Sequence, residues 1–262
     1  MLDNLKNSND RYNDIVSLFN KNDFEGVIEK IKILEEDTFE NPFLMNLLGA
    51  SYLKMEDQQN ARLYFSYALD IDPDYRSSII NLANMEYKNR SYQNAFDYYS
   101  KLFKEDAKVD QAEYLGNMGM CLFRLGHLED GISLCEEAIK INPKCENPYF
   151  QLAEIMHHNK DPEAIISYYY KSLDENPDSY RTYFHLGNFF KGLNSFNMAL
   201  KFYDKCVSIN PNYFEAIFQK SDILSRIGDH EKSINALKQI IEIDNQNSKA
   251  FNNIGVDLQK IN

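Results

Sequence analysis

Residues 42–73 of the chain read PFLMNLLGASYLKMEDQQNARLYFSYALDIDP, and residues 180–211 read YRTYFHLGNFFKGLNSFNMALKFYDKCVSINP. Both stretches contain two runs in which apolar residues recur three and four apart, the spacing typical of amphipathic helices. A short polar turn separates the two runs, and each stretch ends in Pro, before which a chain is biased away from helix. Each stretch therefore predicts two helices followed by a break.

The same pattern recurs along the whole chain. Pro143, Pro177 and Pro211 stand 34 residues apart, and Pro73 precedes Pro143 by 70 residues, which is two periods plus a two-residue insertion placed around 105–111. Such a period is typical of repeat proteins, in which neighbouring hairpins stack and bury the apolar faces that one hairpin alone exposes. The 262 residues therefore divide into a single array, with segments 8–41, 42–75, 76–109, 112–145, 146–179, 180–213 and 214–247 and a half segment 248–262.

The repeated segments resemble the tetratricopeptide repeat (TPR) family. The family pattern has large residues at positions 4 and 11, Leu and a small residue at 7 and 8, small residues at 20 and 27, an aromatic at 24 and Pro at 32. The two quoted stretches supply these residues in order: Met45, Leu48, Gly49, Tyr52, Ala61, Phe65, Ala68 and Pro73, then Tyr183, Leu186, Gly187, Phe190, Ala199, Tyr203, Cys206 and Pro211. The resemblance implies an all-α fold, an α-solenoid of stacked helix-turn-helix hairpins. It also implies a right-handed superhelix with a concave groove lined mainly by first helices.

Three segments depart from the family pattern. Glu86 takes the apolar position 11 of the third segment, where we expect the neighbouring Tyr87 to compensate. Ile165 and Ser172 replace two expected residues of the fifth segment. The first segment fits least, with Asp14 at the Leu position, as expected of a terminal repeat that meets water.

Composition excludes several classes of function. The chain has 28 Lys and Arg against 40 Asp and Glu, a net charge of -12, and a pI near 4.9. Nucleic-acid binding depends on basic residues, so nucleic acid is not an expected partner, and neither is an anionic membrane surface. No apolar run approaches the roughly 20 residues that span a bilayer. With no signal sequence visible and four Cys expected to be reduced thiols, we predict a cytoplasmic protein.

Motifs for catalysis and metal binding are missing. The sequence has no phosphate loop, GxGxxG, HExxH or GxSxG, so we expect no enzyme and no cofactor. Cys135 and Cys206 occupy core positions 24 and 27, where thiols behave as small apolar groups. His157 and His158 are adjacent, and neighbours on a helix point about 100° apart, so they would not bind one metal ion together. We therefore expect no metal site.

Amide side chains recur at the positions that face the groove in the TPR family. Position 6 carries Asn13, Leu47, Asn81, Asn117, Gln151, His185, Gln219 and Asn253, and Asn84 and Asn188 extend the row at position 9. An amide offers a donor and an acceptor, and so can pair with any peptide main chain. The row is similar to the asparagine ladder of O-linked N-acetylglucosamine transferases, which implies binding of an extended peptide. The alternative is that an Asn-rich composition alone produces the row.

Three consecutive segments carry Phe at position 5. Because the core position 4 is already filled in each segment, we expect Phe150, Phe184 and Phe218 to project into the groove as an interaction surface. The alternative is that they pack against the adjacent helix within the groove wall.

The last segment stops at Asn262 but keeps Gly255, the small residue that makes room for a second helix of the same repeat. We therefore hypothesise that the chain derives from a longer array. The expected function is a non-enzymatic scaffold that binds a protein or peptide in the concave groove, and self-association through repeat ends stays open. The alternative is the substrate-recruiting TPR arm of a larger glycosyl- or sulfotransferase-like protein.

Overall fold

The computed structural model describes residues 12–34, 40–103 and 108–261, without the side chains of 108–110. These residues form fifteen helices and no strand, which confirms the all-α prediction. The helices are α1 (12–20), α2 (Phe24–Lys32), α3 (Pro42–Lys54), α4 (Gln58–Ile71), α5 (Arg76–Lys88), α6 (Tyr92–Leu102), α7 (Lys108–Arg124), α8 (Leu128–Ile141), α9 (Asn147–His158), α10 (Pro162–Glu175), α11 (Tyr180–Gly192), α12 (Phe196–Ile209), α13 (Phe214–Arg226), α14 (His230–Ile243) and α15 (Ser248–Ile261).

The helices pair as hairpins from α1–α2 to α13–α14, and α15 follows as a further first helix. Helix α7 begins four residues before the predicted start of its segment at 112, and part of the predicted two-residue insertion lies outside the described residues. The chain forms two compact units, residues 1–137 and 138–262. The hairpins and their stacking confirm an α-solenoid, while the single array over 1–262 stays a prediction.

The turn inside each hairpin has one backbone conformation. Its second residue has a positive φ between 56° and 94° in every pair, and the following N–H donates to the carbonyl of a residue five positions earlier. This bond is typical of a helix that ends through a left-handed residue. Only two of the seven positions are glycine, and the seven residues are Asn22, Glu56, Arg90, Gly126, Lys160, Asn194 and Gly228.

In the first unit, glycine at position 8 of the repeat allows the two helices of a hairpin to approach closely. A Cβ atom built on Gly49 would lie 2.6 Å from the ring of Phe65, and one on Gly119 would lie 2.7 Å from Cys135 Sγ. The first hairpin differs because Ile15 is buried at position 8, while Asp14 is exposed and pairs with Lys30 at 2.9 Å. Small residues and their larger contacts across the hairpin therefore set the spacing of these helices.

The structure corrects the expectation for Glu86. Its carboxylate is buried and pairs with the guanidinium of Arg62, which comes from the second helix of the preceding hairpin. Tyr87 instead packs edge-on against Tyr92, with the ring centroids 5.4 Å apart. A buried carboxylate needs a charged partner more than it needs an apolar neighbour, which explains why Arg62 meets it.

The second unit shows the same hairpin packing. A Cβ on Gly187 would lie 2.5 Å from the ring of Tyr203. Ile165 and Ser172, which depart from the family pattern, are both buried, and the hydroxyl of Ser172 lies 3.0 Å from that of Thr182. The polar replacement is therefore accommodated because the next hairpin supplies a hydrogen-bond partner.

Candidate functional site

The first helices of the second unit share one face. Side chains connect α9 to α11, α11 to α13 and α13 to α15 through ring contacts, hydrogen bonds and ion pairs. We call this surface the first-helix face and define it by Phe150, Gln151, Arg181, Phe184, His185, Asn188, Lys191, Phe218, Gln219, Asp222, Lys249 and Asn253. It carries eight of the residues that the sequence predicts for binding.

An aromatic cluster surrounds His185 on this face. The imidazole centroid lies 4.4 Å from that of Phe150, 5.9 Å from that of Tyr169 and 5.9 Å from that of Phe184. Burial among these rings lowers the pKa of His185 to about 4, and the nearby Arg181 guanidinium lowers it further in the same direction. His185 is therefore neutral near pH 7, and it belongs to an apolar cluster rather than to a row of charged or amide groups.

The three phenylalanines are half-buried rather than exposed. Phe150 lies beneath the Arg181 guanidinium at 5.1 Å, and Phe218 lies beneath the Lys249 ammonium at 4.2 Å. Phe184 packs edge-on against Tyr213, with the centroids 5.1 Å apart. All three rings thus make contacts with neighbouring side chains, as the alternative of packing within the wall expects. Their role in binding stays a prediction.

Two amides of the face are already held by their carbonyl oxygens. The hydroxyl of Tyr203 donates to Asn188 Oδ1 at 2.7 Å, and Lys191 Nζ donates to Gln219 Oε1 at 2.6 Å. Each contact orients its amide so that the NH2 group turns away from the donor. Each of these amides thus has one hydrogen bond within the protein, and its pairing with a peptide main chain stays a prediction.

Lys191 is held in turn by Asp222. The ammonium lies 2.5 Å from Asp222 Oδ2, and Arg226 Nε donates to Asp222 Oδ1 at 3.1 Å. Partial burial raises the pKa of Asp222, but the hydrogen bonds from Lys191 and Arg226 outweigh it and leave the pKa below its usual value. The carboxylate therefore stays ionised and fixes the lysine that orients Gln219.

The remaining two amides of the second unit, Gln151 and Asn253, are half-buried on α9 and α15. Amides of the first unit also make internal contacts. Asn81 Nδ2 donates to Asn46 Oδ1 at 3.0 Å, and the hydroxyl of Tyr99 donates to Asn84 Oδ1 at 2.7 Å. Asn117 is half-buried on α7, and Leu47, the apolar member of the predicted row, is buried in the core. In this unit, Asn81 therefore donates one hydrogen bond within the protein, and Asn84 accepts one.

Sequence reasoning missed the charged residues that organise the face. Arg181 contacts Asn147 Oδ1 at 2.9 Å besides covering Phe150, and Lys249 covers Phe218. Both cations stand at position 2, one repeat after the phenylalanine that they cover. The recurring distance of 31 residues between a Phe at position 5 and a cation at the next position 2 could have identified these pairs.

Three of the cysteine thiols are buried in the part of the chain that the structure describes. Cys121, Cys135 and Cys206 are buried free thiols, and burial raises the pKa of each to about 12. Across the described ranges, no three His, Cys, Asp or Glu side chains are grouped as a metal site. Within the same ranges, no helix is long and apolar enough to cross a membrane.

Comparison with known proteins gives consistent matches. Models of the tetratricopeptide repeat match residues 112–145 and residues 44–75, 180–213 and 214–247, which together make up half of the chain. A DnaJ homolog subfamily C member 7 homolog from Dictyostelium discoideum is 23% identical over 154 residues, covering 53% of this chain and 28% of the relative. This chain therefore spans little more than a quarter of that relative's length.

Two solved structures share the fold. Yeast Tom70 superposes with a TM-score of 0.72 at 17% identity, over 90% of this chain and 52% of Tom70. The C-terminal part of a TPR repeat-containing protein from Cytophaga hutchinsonii gives a TM-score of 0.53 at 17% identity, over 93% of this chain and 98% of the other.

Hairpins with a common turn and a common small-residue contact define a helical-repeat protein of the α-solenoid class. With the matches above, the chain belongs to the tetratricopeptide repeat family. Members of this family are protein-interaction scaffolds and in general not enzymes, and homologues bind protein or peptide partners.

Proposed function

We propose that this chain is an interaction scaffold that binds an extended peptide on the first-helix face. The observation that carries the proposal is the orientation of Asn188 and Gln219. Their carbonyl oxygens are held by Tyr203 and Lys191, so both NH2 groups are available to main-chain carbonyls of a ligand. Each such bond contributes roughly 0.5–1.5 kcal/mol, so useful affinity requires further contacts along the peptide.

The further contacts come from neighbouring residues of the same face. Half-buried Phe184 and Phe218 offer ring edges to apolar side chains of the ligand. Arg181 and Lys249 are exposed cations that would attract a carboxylate side chain next to the bound segment. The expected ligand is therefore an extended peptide with apolar and acidic side chains. It is recognised partly through its main chain.

Two substitutions test the proposal without disturbing the internal contacts. Asn188→Asp and Gln219→Glu keep the oxygen that accepts from Tyr203 or Lys191 but replace the N–H donor by an acceptor. Peptides selected by the wild-type chain from a random 12-residue phage library are measured by fluorescence polarisation. Each substitution is expected to weaken binding by about tenfold or more, because a carboxylate oxygen then faces the peptide carbonyl.

Asn84→Asp is the matched control. It makes the same chemical change at the same repeat position, beside the equivalent Tyr99 contact, but in the first unit. Binding unchanged in this control and lost in the other two variants supports the first-helix face. Peptides that bind all three variants equally would contradict the proposal, and so would a library that yields no binder.

The partner class beyond peptides stays a proposal, as does a cytoplasmic location. The transferase-arm alternative gains no support from the relatives named above. A triple Phe150→Ala, Phe184→Ala and Phe218→Ala variant, checked for helicity by circular dichroism, tests whether the rings contribute to binding. Retention of every selected peptide by this variant would restrict the rings to a structural role.

A further inference from the structure

Helix α4 in the first unit carries large apolar residues on its exposed side. Leu63 is 42% exposed and Tyr67 is 45% exposed, and residues four apart lie on one side of a helix. They stand at positions 22 and 26 of the repeat. The later second helices α6, α8, α10, α12 and α14 carry polar or charged residues at both positions, for example Lys201 and Lys205 on α12. The apolar pair is therefore a feature of this hairpin and does not belong to the repeat pattern.

Aromatic rings continue this exposed side of α4 onto α3. Tyr64 stacks on Tyr52 of α3 with the ring centroids 5.4 Å apart, and Tyr67 packs edge-on against Tyr64 at 6.0 Å. Tyr52 and Tyr64 are half-buried against the core cluster that includes Ile28 of α2. Met55, directly after α3, is 42% exposed. We call the surface formed by Tyr52, Met55, Leu63, Tyr64 and Tyr67 the tyrosine surface.

The equivalent positions of the second unit line one cavity. This cavity has a volume of about 440 Å³ and is lined by residues of α12, α13 and α14 and of the turn between the last two. Five of its lining residues stand at the repeat positions of the tyrosine surface: Leu224, Ile227, Asn235, Ala236 and Gln239. The repeat therefore brings these five positions together. The second unit places two amides there, whereas the first unit places three tyrosines, Met and Leu.

Two carboxylates lie where the tyrosine surface meets the hairpin turn, those of Glu25 and Asp57. Their equivalents in the second unit, Asn197 and Asp229, line the cavity described above. Glu25 is exposed. Hydrogen bonds from the side chain and the backbone of Asn60 hold the pKa of Asp57 below its usual value, so this carboxylate is ionised near pH 7. The turn end of the surface therefore favours a cation of a ligand.

The other end of the surface carries charges of both signs. Lys32 is exposed on α2, and its ammonium acts electrostatically on the Tyr64 hydroxyl, while Asp70 is exposed on α4. Net negative charge is thus concentrated at the turn end. Glu25 and Lys32 are about 10 Å apart along α2, since each helical residue advances 1.5 Å. A polyproline II segment rises about 3.1 Å per residue, so three to four of its residues span this distance.

We propose that the tyrosine surface binds a proline-rich segment of a partner protein in the polyproline II conformation, with Arg or Lys at the end that meets Glu25 and Asp57. Such segments bind to aromatic-lined surfaces because their conformation is already formed and little entropy is lost. The exposed Tyr67 hydroxyl can donate to a main-chain carbonyl, which polyproline II leaves without an internal partner.

Two other occupants fit the tyrosine surface less well. An amphipathic helix pairs its own main-chain carbonyls and so leaves the Tyr67 hydroxyl without an acceptor. A second copy of this chain would bring together two strongly acidic units, because residues 1–137 contain 14 Lys and Arg against 25 Asp and Glu. Both charge and the tyrosine hydroxyl therefore favour the basic proline-rich segment.

The probe is a fluorescein-labelled octapeptide of two Arg followed by six Pro. Its binding to the full chain is measured by fluorescence polarisation at low salt. Replacing both Arg by Glu is expected to weaken binding by about tenfold or more, because the new carboxylates would meet Glu25 and Asp57. Replacing the six Pro by Gly keeps the charge but removes the preformed conformation and the rings, and a similar loss is expected.

A double variant of the protein locates the site. Leu63→Asn with Tyr67→Gln introduces the residues found at the same positions of α14. Both side chains are exposed, so the fold is expected to persist while the octapeptide binds about tenfold or more weakly. Tyr170→Gln is the matched control, because Tyr170 is 46% exposed but lies on α10 in the second unit. This control is expected to bind the peptide like wild type.

A second double variant tests the charge at the turn end. Glu25→Gln with Asp57→Asn removes both carboxylates, and Asn still caps the start of α4 as Asp57 does. The octapeptide is expected to bind about threefold or more weakly. Its affinity should also depend less on salt than in wild type, because fewer charges remain to be screened.

Four results would overturn the proposal. They are absence of binding by the wild-type chain, equal affinity for the Arg and Glu peptides, equal affinity for the Pro and Gly peptides, and unchanged affinity in either double variant. In sedimentation equilibrium, a dimer that Leu63→Asn with Tyr67→Gln dissociates would assign the tyrosine surface to a second copy instead. The variants leave Asn188 and Gln219 intact, so these outcomes are independent of peptide binding on the first-helix face.

Discussion

Individual residues of this chain owe their chemistry to the neighbouring repeat. His185 and Gln219 occupy the groove-facing position 6 of their repeats, and Glu86 occupies the apolar position 11. Each contacts a side chain from an adjacent hairpin: Phe150, Lys191 and Arg62, respectively. Their protonation, charge pairing and orientation follow from those contacts. Two predictions belong to this scale.

The first concerns the pH dependence that His185 creates. Its folded pKa of about 4 lies below the unfolded value near 6.5, so protons bind the unfolded chain preferentially. Stability is therefore complete above about pH 6.5 and declines as the pH falls towards 4. By pH 5 the loss is on the order of 2 kcal/mol. Urea unfolding followed by circular dichroism from pH 8 to pH 5 measures it.

His185→Gln removes the titrating group and places an amide as at Gln151 and Gln219. It is expected to lose about 2 kcal/mol less than wild type over this pH range. His127→Gln, at an exposed residue, is the control. Parallel pH profiles for wild type and His185→Gln would show that the aromatic cluster does not disfavour the imidazolium.

The second prediction contrasts two glycines at position 8. Gly187→Ala should destabilise the chain by about 1–3 kcal/mol, because the new methyl would lie 2.5 Å from the buried Tyr203 ring. Gly255→Ala should stabilise it by up to about 1 kcal/mol, because the methyl meets open space in the middle of a helix. Thermal and urea unfolding measure both. Shifts of the same sign would contradict this account.

Elements are joined by a turn whose conformation is the same in all seven hairpins. At Glu56, Arg90 and Lys160 a long side chain occupies a left-handed backbone conformation, which costs roughly 1–2 kcal/mol for residues other than glycine. The geometry of the hairpin thus prevails over the local preference of the residue, because the helices on both sides are held by their packing.

The effect of a substitution at the turn residue on stability should depend on its left-handed backbone conformation. Glu56→Gly, with a φ of 64° at this site, is expected to stabilise the chain by about 0.5–1 kcal/mol. Gly228→Ala, with a φ of 83°, is expected to destabilise it by about 1 kcal/mol. Chemical unfolding of both variants gives the test. If Glu56→Gly lowers stability, side-chain contacts of Glu56 outweigh the backbone conformation.

At the scale of the whole molecule, charge is distributed unevenly along the chain. Residues 1–137 contain 14 Lys and Arg against 25 Asp and Glu, and residues 138–262 contain 14 against 15. The net charge of -12 therefore comes almost entirely from the first unit. Excess charge of one sign destabilises a compact state through repulsion, and salt screens that repulsion.

The same substitution made at equivalent positions of the two units should show that charge repulsion is stronger in the first unit. Asp70 and Asp174 are exposed at position 29, near the ends of α4 and α10. Both Asp70→Lys and Asp174→Lys favour the helix dipole, but the first also relieves repulsion in an acidic unit. At low salt Asp70→Lys is expected to stabilise by about 0.5 kcal/mol more. The difference should vanish in about 0.5 M NaCl, and a difference that persists there would have another cause.

Local periodicity determined much of this protein from the sequence alone. Helix pairs, the 34-residue period and the small residues at position 8 follow from spacings within one hairpin, where neighbouring positions impose the backbone and the packing. The all-α fold and the buried roles of Cys135 and Cys206 were therefore predictable.

Tertiary structure alone decided how side chains from different hairpins meet. It placed Arg62 against Glu86, brought the Arg181 guanidinium over the ring of Phe150, enclosed His185 among aromatic rings and set Lys191 against the carbonyl oxygen of Gln219. Contacts of this kind join residues some 16 to 35 positions apart, and they depend on the distance and rotation between helices. Repeat spacing identifies which faces can meet, but only packing selects the atoms that touch.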